Sequence, residues 1–365
     1  MRLHVGQYNL PSQARYEAAM RGIFERRYYT NQGPLARAFE ERLQTILNVK
    51  HAIVVTNSTI ALMMASEALA ISGRVIVPAI RNATLAQALR WCRADSVFAD
   101  VDVADGQLDV DALAASIPSI DRVTAIIGAN MWGDACDAAA LVALARARKL
   151  PIMFDSSHAF GCVTAGRRIG TLGDAEVLSF DAADIVNAAG GACVATDDEE
   201  LAARLRNIRS SYGAGRSVAV VKTSNGRMSE AQAALGLLSL DDYETNRAHN
   251  RTLFDAYRRG LRAMPGIRIV EPRRVDTSNH QALVCAVADD ISTLSRDALI
   301  TRLGECQIEA VPVRPLDANE RVGKHIGASW MRLPLGSHVS VCDVERVCAV
   351  IGEVVTRCCA AGDVA

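Results

Sequence analysis

The sequence predicts an α/β fold: a mostly parallel sheet between helices, followed by a smaller α+β lobe. Short apolar runs rich in β-branched residues alternate with helical stretches across residues 54–194. Strands of a parallel sheet appear as continuous apolar runs, because helices cover both faces of such a sheet. After Gly266 the pattern changes to short strands and two helices. This change indicates a second, smaller lobe.

The elements of both lobes follow from these patterns. In the larger lobe the predicted strands are HAIVVTN, RVIVPAI, SVFADVD, TAIIGANMWG, LPIMFDSS, AEVLSFD and ACVATDD, and the predicted helices are STIALMMASEALAI, LAQALRWCR and LVALARARK. Residues 228–264 predict one or two long helices leading out of this lobe. In the smaller lobe, IRIV, ALVCAVA and IEAVPV predict strands, and SRDALITRLGEC and CDVERVCAVIGEVVTRCC predict helices. We therefore divide the chain into an N-terminal segment (1–30), a large α/β domain (31–240), and a connecting helix with the small C-terminal α+β domain (241–365).

Composition argues against several classes of protein. The formal net charge is −1 over 365 residues, so no electrostatic feature predicts binding to nucleic acid or to a membrane surface. No run approaches about 18 uninterrupted apolar residues, and the first residues contain no apolar stretch typical of a secretory signal. The ten cysteines are scattered, form no C-x-x-C pair and do not cluster with the seven histidines. We therefore expect no metal site and a cytoplasmic location.

Five residues lie at predicted carboxyl ends of strands in the larger lobe. They are Asn57, Pro78, Asn130, Asp155 and Ser179. In open α/β sheets, ligands bind in the crevice beyond the carboxyl ends of the strands. The sequence therefore predicts a small-molecule site at this edge of the sheet.

Six motifs follow one another in the order in which one enzyme family carries them. They are NQGPLARAFEERL, TNSTIALMMA, NMWGDACD, DSSHAFG, GDAEVLSF and SNGRMSEAQAALGL. Together they resemble the DegT/StrS sugar aminotransferases, which are pyridoxal-phosphate enzymes of fold type I, and the resemblance extends from about residue 30 to residue 355. It implies a fold type I aminotransferase-like architecture and a homodimer with active sites at the interface. It also implies nucleotide-linked keto sugars as substrates.

The resemblance assigns cofactor-binding roles to five residues. Asp155 would face the pyridine nitrogen and keep it protonated, which makes the ring an electron sink. Ser58 and Thr59 open a predicted helix and, with Ser179, would contact the phosphate, while Asn225 would reach the phosphate of the neighbouring subunit. From the residues alone, Asp155 also fits a surface or capping role, and Ser58 and Thr59 also fit a plain helix N-cap.

The stretch SFDAADIVNAAGG, residues 179–191, departs from the family pattern. Asp184 stands where the resemblance places the lysine that holds the cofactor as an imine, and Asp181 stands where a histidine is common. Aspartate cannot form this imine, but it can transfer protons if burial or a nearby carboxylate raises its pKa. We therefore expect Asp184, Asp181 and His158 to be the catalytic residues. The stretch is one residue shorter than the family pattern, so two solvated or turn-capping aspartates are the alternative, and His158 also fits a structural role.

A second departure lies in VPAIRNATLAQA. Arg81 and Asn82 replace a threonine and the aromatic ring that stacks on the pyridine in the family. Both side chains are polar, and an arginine can anchor a carboxylate or phosphate. We expect both residues to bind substrate.

The four lysines offer one replacement for the missing amine. They are Lys50, Lys149, Lys222 and Lys324. Lys222 is the candidate, because KTSN should approach the phosphate site of the neighbouring subunit. The other three lie outside the predicted site.

Three functions remain open from the sequence. The first is an enzyme of sugar or natural-product biosynthesis that works by acid/base chemistry without an internal aldimine, using either no cofactor or non-covalent pyridoxamine or pyridoxal phosphate. The second is a noncatalytic partner of an active paralogue. The third is a conventional aminotransferase rescued by Lys222.

Overall fold

The computed structural model describes residues 2–80, 83–210, 215–220, 222–288, 294–315 and 321–362. In chain order the described strands are β1 (His51–Val55), β2 (Gly73–Pro78), β3 (Ala94–Ala99), β4 (Val123–Ala129), β5 (Ile152–Asp155), β6 (Val163–Thr164), β7 (Arg167–Arg168), β8 (Ala175–Phe180), β9 (Gly191–Thr196), β10 (Ile267–Val270), β11 (Leu283–Val287), β12 (Val311–Pro312) and β13 (Trp330–Leu333). The described helices are α1 (Gln13–Arg26), α2 (Pro34–Leu47), α3 (Ser58–Ala68), α4 (Ala83–Trp91), α5 (Val110–Ser116), α6 (Ala138–Ala147), α7 (Glu199–Arg209), α8 (Glu230–Leu261), α9 (Arg296–Glu305), α10 (Arg321–Ser329) and α11 (Val341–Gly362).

The larger part of the fold is a seven-stranded sheet in the order β1-β9-β8-β5-β4-β2-β3. Strand β9 runs antiparallel to β1 and β8, and the other strand pairs are parallel. Successive side chains of a strand point to opposite faces, so Ile53 and Val55 of β1 join one core with α3, while Ala52 and Val54 join another with α2. The predicted α/β fold with a mostly parallel sheet between helices is confirmed.

Helix α8 connects this sheet to the smaller one. It begins with a capping box, in which Ser229 accepts from the Gln232 backbone N–H and Gln232 accepts from that of Ser229. Leu240 packs in the core of the large sheet, whereas Leu253 and Tyr257 pack in the core of the small one. The predicted domain boundary at residue 240 lies inside this single helix, and the division itself stays a prediction.

The smaller sheet has the order β10-β11-β13-β12, and all its neighbouring strands are antiparallel. Helices α9 and α11 cover it with the second half of α8. The C-terminal α+β region is therefore confirmed. The sequence patterns missed β13, which lies in the middle of this sheet. Among the described helices, none has the length and apolar character needed to cross a bilayer.

Candidate functional site

A cavity of about 320 Å³ lies at the carboxyl edge of the large sheet, where it faces the small sheet. Five of the residues predicted from the sequence line it: Ser58, His158, Ser179, Asp181 and Asp184. The loop after β4, the start of α3 and the turn after β8 meet here because the strands before them run parallel. The structure thus brings the predicted catalytic residues into one cavity.

The turn after β8 holds Asp184 in place. The Asp184 N–H donates to the Asp181 carbonyl at 3.0 Å, and the Asp184 Oδ2 accepts from the Asp181 N–H at 2.9 Å. The Oδ1 atom accepts from Nε2 of Gln281 at 2.8 Å, and the Ser179 hydroxyl donates to the same carboxyl. Asp184 therefore caps its own turn, as the alternative interpretation expected, and it also lines the cavity.

Burial is the main influence on the Asp184 carboxyl. The side chain is only 7% exposed, and desolvation raises its pKa to about 7, against the opposing effect of its hydrogen bonds. The nearby Asp181 carboxylate adds to this increase because like charges disfavour a second ionisation. Asp181 itself is exposed, and its Oδ1 accepts from the Ala182 N–H at 2.7 Å.

His158 has the opposite titration behaviour. Desolvation, together with the positive charge of Arg332, lowers the pKa of His158 to about 3. The ring is therefore neutral at neutral pH. Its Nδ1 is buried and has no hydrogen-bond partner among the residues that the structure describes, while its carbonyl accepts from Gly133 N–H at 3.1 Å and Asn279 Nδ2 at 3.2 Å.

The start of α3 lies at the cavity, which Ser58 lines, and Asn57 caps the helix. Asn57 is the N-cap, and its side chain accepts from the Ile60 N–H at 2.9 Å. Ser58 and Thr59 are the first two helical residues, so the interpretation of these two as plain N-caps is wrong. Early N–H groups of a helix have no partner within the helix, and the positive end of the helix dipole favours an anion.

Asp155 is the last residue of β5 and is not among the described residues that line the cavity. It is 1% exposed, and its Oδ1 accepts from the hydroxyl of Ser157 at 2.5 Å and from the Ser157 N–H at 3.2 Å. It is buried, so the interpretation of Asp155 as a surface residue is wrong.

Other predicted residues lie away from the cavity or outside the described chain. Asn225 is exposed, and its Oδ1 accepts from Arg227 Nε at 3.0 Å. Arg81 and Asn82 lie outside the described residues. Lys222 is half exposed and forms an ion pair with Glu67, with 2.9 Å between Nζ and Oε2.

Arg332 and Trp132 are among the cavity residues that the sequence patterns missed. Arg332 lies in β13, between the buried Met331 and Leu333. An arginine inside a short apolar run was the available signal. Trp132, in the loop after β4, is buried, has a positive φ of 59° and lines the cavity.

Comparison with known proteins gives one consistent result. Residues 12–351 match the model of the DegT/DnrJ/EryC1/StrS aminotransferase family. The chain is 28% identical to dTDP-4-amino-4,6-dideoxy-D-glucose transaminase of Shigella dysenteriae, over 96% of this chain and 99% of that protein. It is 29% identical to GDP-perosamine synthase of Caulobacter vibrioides, over 87% of this chain and 89% of that protein.

Solved structures agree with these matches. The structure of DesI with its TDP-sugar product superposes with a TM-score of 0.90 at 33% identity, covering 98% of this chain and 93% of DesI. The aminotransferase TlmJ from Streptoalloteichus hindustanus gives a TM-score of 0.87 at 27% identity, covering 98% of this chain and 100% of TlmJ.

Proposed function

Because this chain belongs to the DegT/DnrJ/EryC1/StrS aminotransferase family, we propose that it is a biosynthetic enzyme whose proton carrier is Asp184 instead of a lysine. One observation carries the proposal. Asp184 is buried, lines the cavity at the sheet edge and has a pKa raised to about 7. A carboxyl with this pKa is partly protonated near neutral pH, so it can both donate and accept a proton.

His158 and Asp181 complete the proposed acid/base group. The neutral His158 ring offers an unpartnered Nδ1, as far as the described residues show, so it is suited to accept or orient a proton of the substrate. Asp181 is the exposed member, and its charge helps to keep the Asp184 proton in place. His158 is neutral and Asp184 is partly protonated near neutral pH, and groups with different pKa values are how active sites separate acid and base roles.

We propose that the site holds a pyridoxal or pyridoxamine phosphate without a covalent bond. We propose that Ser58, Thr59 and Ser179 hold its phosphate, that Asp155 faces the ring nitrogen, and that Asn225 completes the site across a homodimer. When bound, this group would supply an electron sink. Among the described residues, no lysine lines the cavity, which supports non-covalent binding or no cofactor.

Two observations bear on the substrate: the sugars for which the related proteins are named, and the polar residues that replace family residues in the sequence. The related proteins are named for dTDP- and GDP-linked sugars, so a nucleotide-linked sugar is one candidate. Arg81 and Asn82, which we propose as substrate contacts, add polar groups that also suit a natural-product intermediate.

Absorption spectroscopy tests the proposal. The protein is titrated separately with pyridoxal phosphate and pyridoxamine phosphate, and the Asp184→Lys and Asp184→Asn variants are treated identically. We expect no imine band in the unaltered protein or in Asp184→Asn, and an imine band in Asp184→Lys, because only that variant places an amine in the cavity. Asp184→Asn is the matched control, since it removes the charge without adding a nucleophile.

Each other outcome has a defined meaning. An imine band in the unaltered protein that disappears in Lys222→Ala would replace the proposal with a conventional aminotransferase. If neither form binds to the unaltered protein, the chain works without cofactor or serves as a noncatalytic partner. Co-expression with an active paralogue then separates these two, because a partner subunit forms a stable mixed dimer and an independent enzyme does not.

A further inference from the structure

Arg332 lines the cavity, and its guanidinium has no partner among the residues that the structure describes. It lies in β13 at the centre of the small sheet, where its backbone is in register with Val284 of β11 and Val311 of β12. The side chain is partly buried and lines the cavity. Within the described part of the chain its side chain forms no hydrogen bond or ion pair. Partly buried charged groups are normally paired, because taking a charge out of water is costly.

The two acidic residues whose charges act on Arg332 form hydrogen bonds with other groups. Both Glu309 and Asp184 interact electrostatically with it. Glu309 accepts from the Val5 N–H at 2.8 Å and faces His4 at 3.4 Å. The Asp184 oxygens accept from Gln281 and from the Asp181 N–H. The donors of Arg332 are therefore left for a ligand.

The wall beside Arg332 is largely apolar. Met131, Trp132 and Val313 line the same cavity, and the Trp132 ring packs on Trp330 with 5.6 Å between ring centroids. An apolar wall with a few placed polar groups is typical of small-molecule sites. It also strengthens the interaction of a guanidinium with an anion by excluding water.

We propose that Arg332 binds a carboxylate of the substrate, which places the substrate among small carboxylate-bearing molecules. This inference rests on the proposed function only in taking the cavity as the reaction site. The planar guanidinium matches a carboxylate through two parallel N–H···O bonds. A single guanidinium balances the single charge of a carboxylate, whereas a phosphate has its own donors at the start of α3. The carboxylate would then lie beside Asp184, in reach of the proposed proton carrier.

Binding of simple probes tests the inference without turnover. The probes are 3-phenylpropionate, its uncharged analogue 3-phenylpropionamide, and phenylphosphonate, measured by titration calorimetry at constant ionic strength and followed by tryptophan fluorescence. We expect the unaltered protein to bind the carboxylate at least about tenfold more tightly than the amide, because a hydrogen bond to a charged group contributes more than one between neutral groups. In Arg332→Gln this preference should fall to within about twofold.

Matched variants separate a specific anchor from general charge attraction. Arg314→Gln removes the exposed arginine that lines the same cavity, and it should change the preference by less than about threefold. Arg332→Lys keeps the charge but loses the two-pronged geometry, so its preference should lie between those of the unaltered protein and Arg332→Gln.

Several results would overturn the inference. They are equal affinity of the unaltered protein for carboxylate and amide, equal losses in Arg332→Gln and Arg314→Gln, or an Arg332-dependent preference for phenylphosphonate. If Arg332→Gln does not fold, the unaltered protein and Arg332→Lys still decide the question. The proposed function fails separately, because it depends on the spectra of the Asp184 variants and these binding constants do not.

Discussion

Two buried carboxyls, Glu176 and Asp184, both have a raised pKa but differ in their surroundings. Desolvation raises the pKa of both Glu176 and Asp184 to about 7. Glu176 in β8 is fully buried, and it accepts from the Gly170 N–H at 2.6 Å, from the Leu172 N–H at 3.0 Å and from the Ser156 hydroxyl. Asp184 accepts from a comparable set of donors but lines the cavity. A raised pKa alone therefore does not mark a catalytic group.

The difference lies in what each carboxyl organises. Glu176 joins the loop after β7 to Ser156, which follows β5. It is not among the described residues that line the cavity. Asp184 closes a turn of its own and faces the cavity. We infer that Glu176 holds the sheet edge in shape, whereas Asp184 is available to a ligand.

The largest expected effect separates the two carboxyls by turnover. Asp184→Asn should lower kcat by about 100- to 10,000-fold, because it removes the group that gives and takes the proton. Glu176→Gln should change kcat by less than about tenfold, since it lies outside the cavity. Both are measured with the substrate that screening of dTDP- and GDP-linked sugars and carboxylate-bearing intermediates identifies. Full turnover in Asp184→Asn would remove its proposed role.

Stability should show the reverse order. Glu176→Ala leaves the N–H groups of Gly170 and Leu172 and the hydroxyl of Ser156 buried without their acceptor. We expect the free energy of unfolding to fall by about 3–5 kcal/mol, measured by urea denaturation at pH 7. Glu176→Gln keeps one acceptor oxygen and should lose less. A smaller loss in Glu176→Ala than in Asp184→Ala would contradict the structural role.

The pH dependence of stability tests whether the Asp184 pKa is raised in the folded protein. Its folded pKa of about 7 lies above the ordinary value of 3.8. Between these two values the folded state binds more protons than the unfolded state, so this carboxyl lowers stability as pH rises from about 4 to about 7. The loss is complete above that range and amounts at most to roughly 4 kcal/mol. Asp184→Asn removes this dependence.

The contribution of Asp184 must be measured as a difference in the free energy of unfolding between the unaltered protein and Asp184→Asn. The reason is that His158 changes stability with pH in the opposite direction. Its folded pKa of about 3 lies below 6.5, so it raises stability as pH increases through that interval. Subtracting the urea-derived free energies of the unaltered protein from those of Asp184→Asn cancels this contribution. The difference should favour the variant increasingly from pH 4 to pH 8. A difference that does not vary with pH would show that Asp184 is ionised normally.

The sequence predicted the strands of the seven-stranded sheet better than those of the four-stranded sheet, for physical reasons. The buried runs such as LPIMFDSS are long, apolar and local, so their strand assignment needs no distant information. Strand β13 is four residues long and includes Arg332, and it is held by pairing with β11 and β12. Such pairing is not visible in a local pattern.

In the site, too, the sequence predicted what is local and missed contacts between distant residues. Ser179 near the end of β8 and Asp181 and Asp184 in the following turn are close in sequence, so the motif placed them together. The bond from Gln281 to Asp184 joins residues 97 positions apart, and Arg332 reaches the cavity from the other sheet. The motif did not determine which residue caps α3. The structure shows that this residue is Asn57.

Two serines allow the smallest and most direct test of the difference between Glu176 and Asp184. Ser179 donates to Asp184, and Ser156 donates to Glu176. Each hydroxyl lowers the pKa of its carboxyl, because a hydrogen bond to the charged form favours ionisation. Ser179→Ala should therefore raise the pKa of Asp184 by up to about one, in keeping with a bond of roughly 1 kcal/mol, as followed by carbon NMR of the carboxyl groups. Ser156→Ala should leave the Asp184 titration unchanged, because Ser156 donates to Glu176, whose carboxyl is separate from the cavity. If Ser156→Ala moves the Asp184 pKa as far as Ser179→Ala does, the two carboxyls act as one coupled network, and the distinction between a structural and a catalytic acid does not hold.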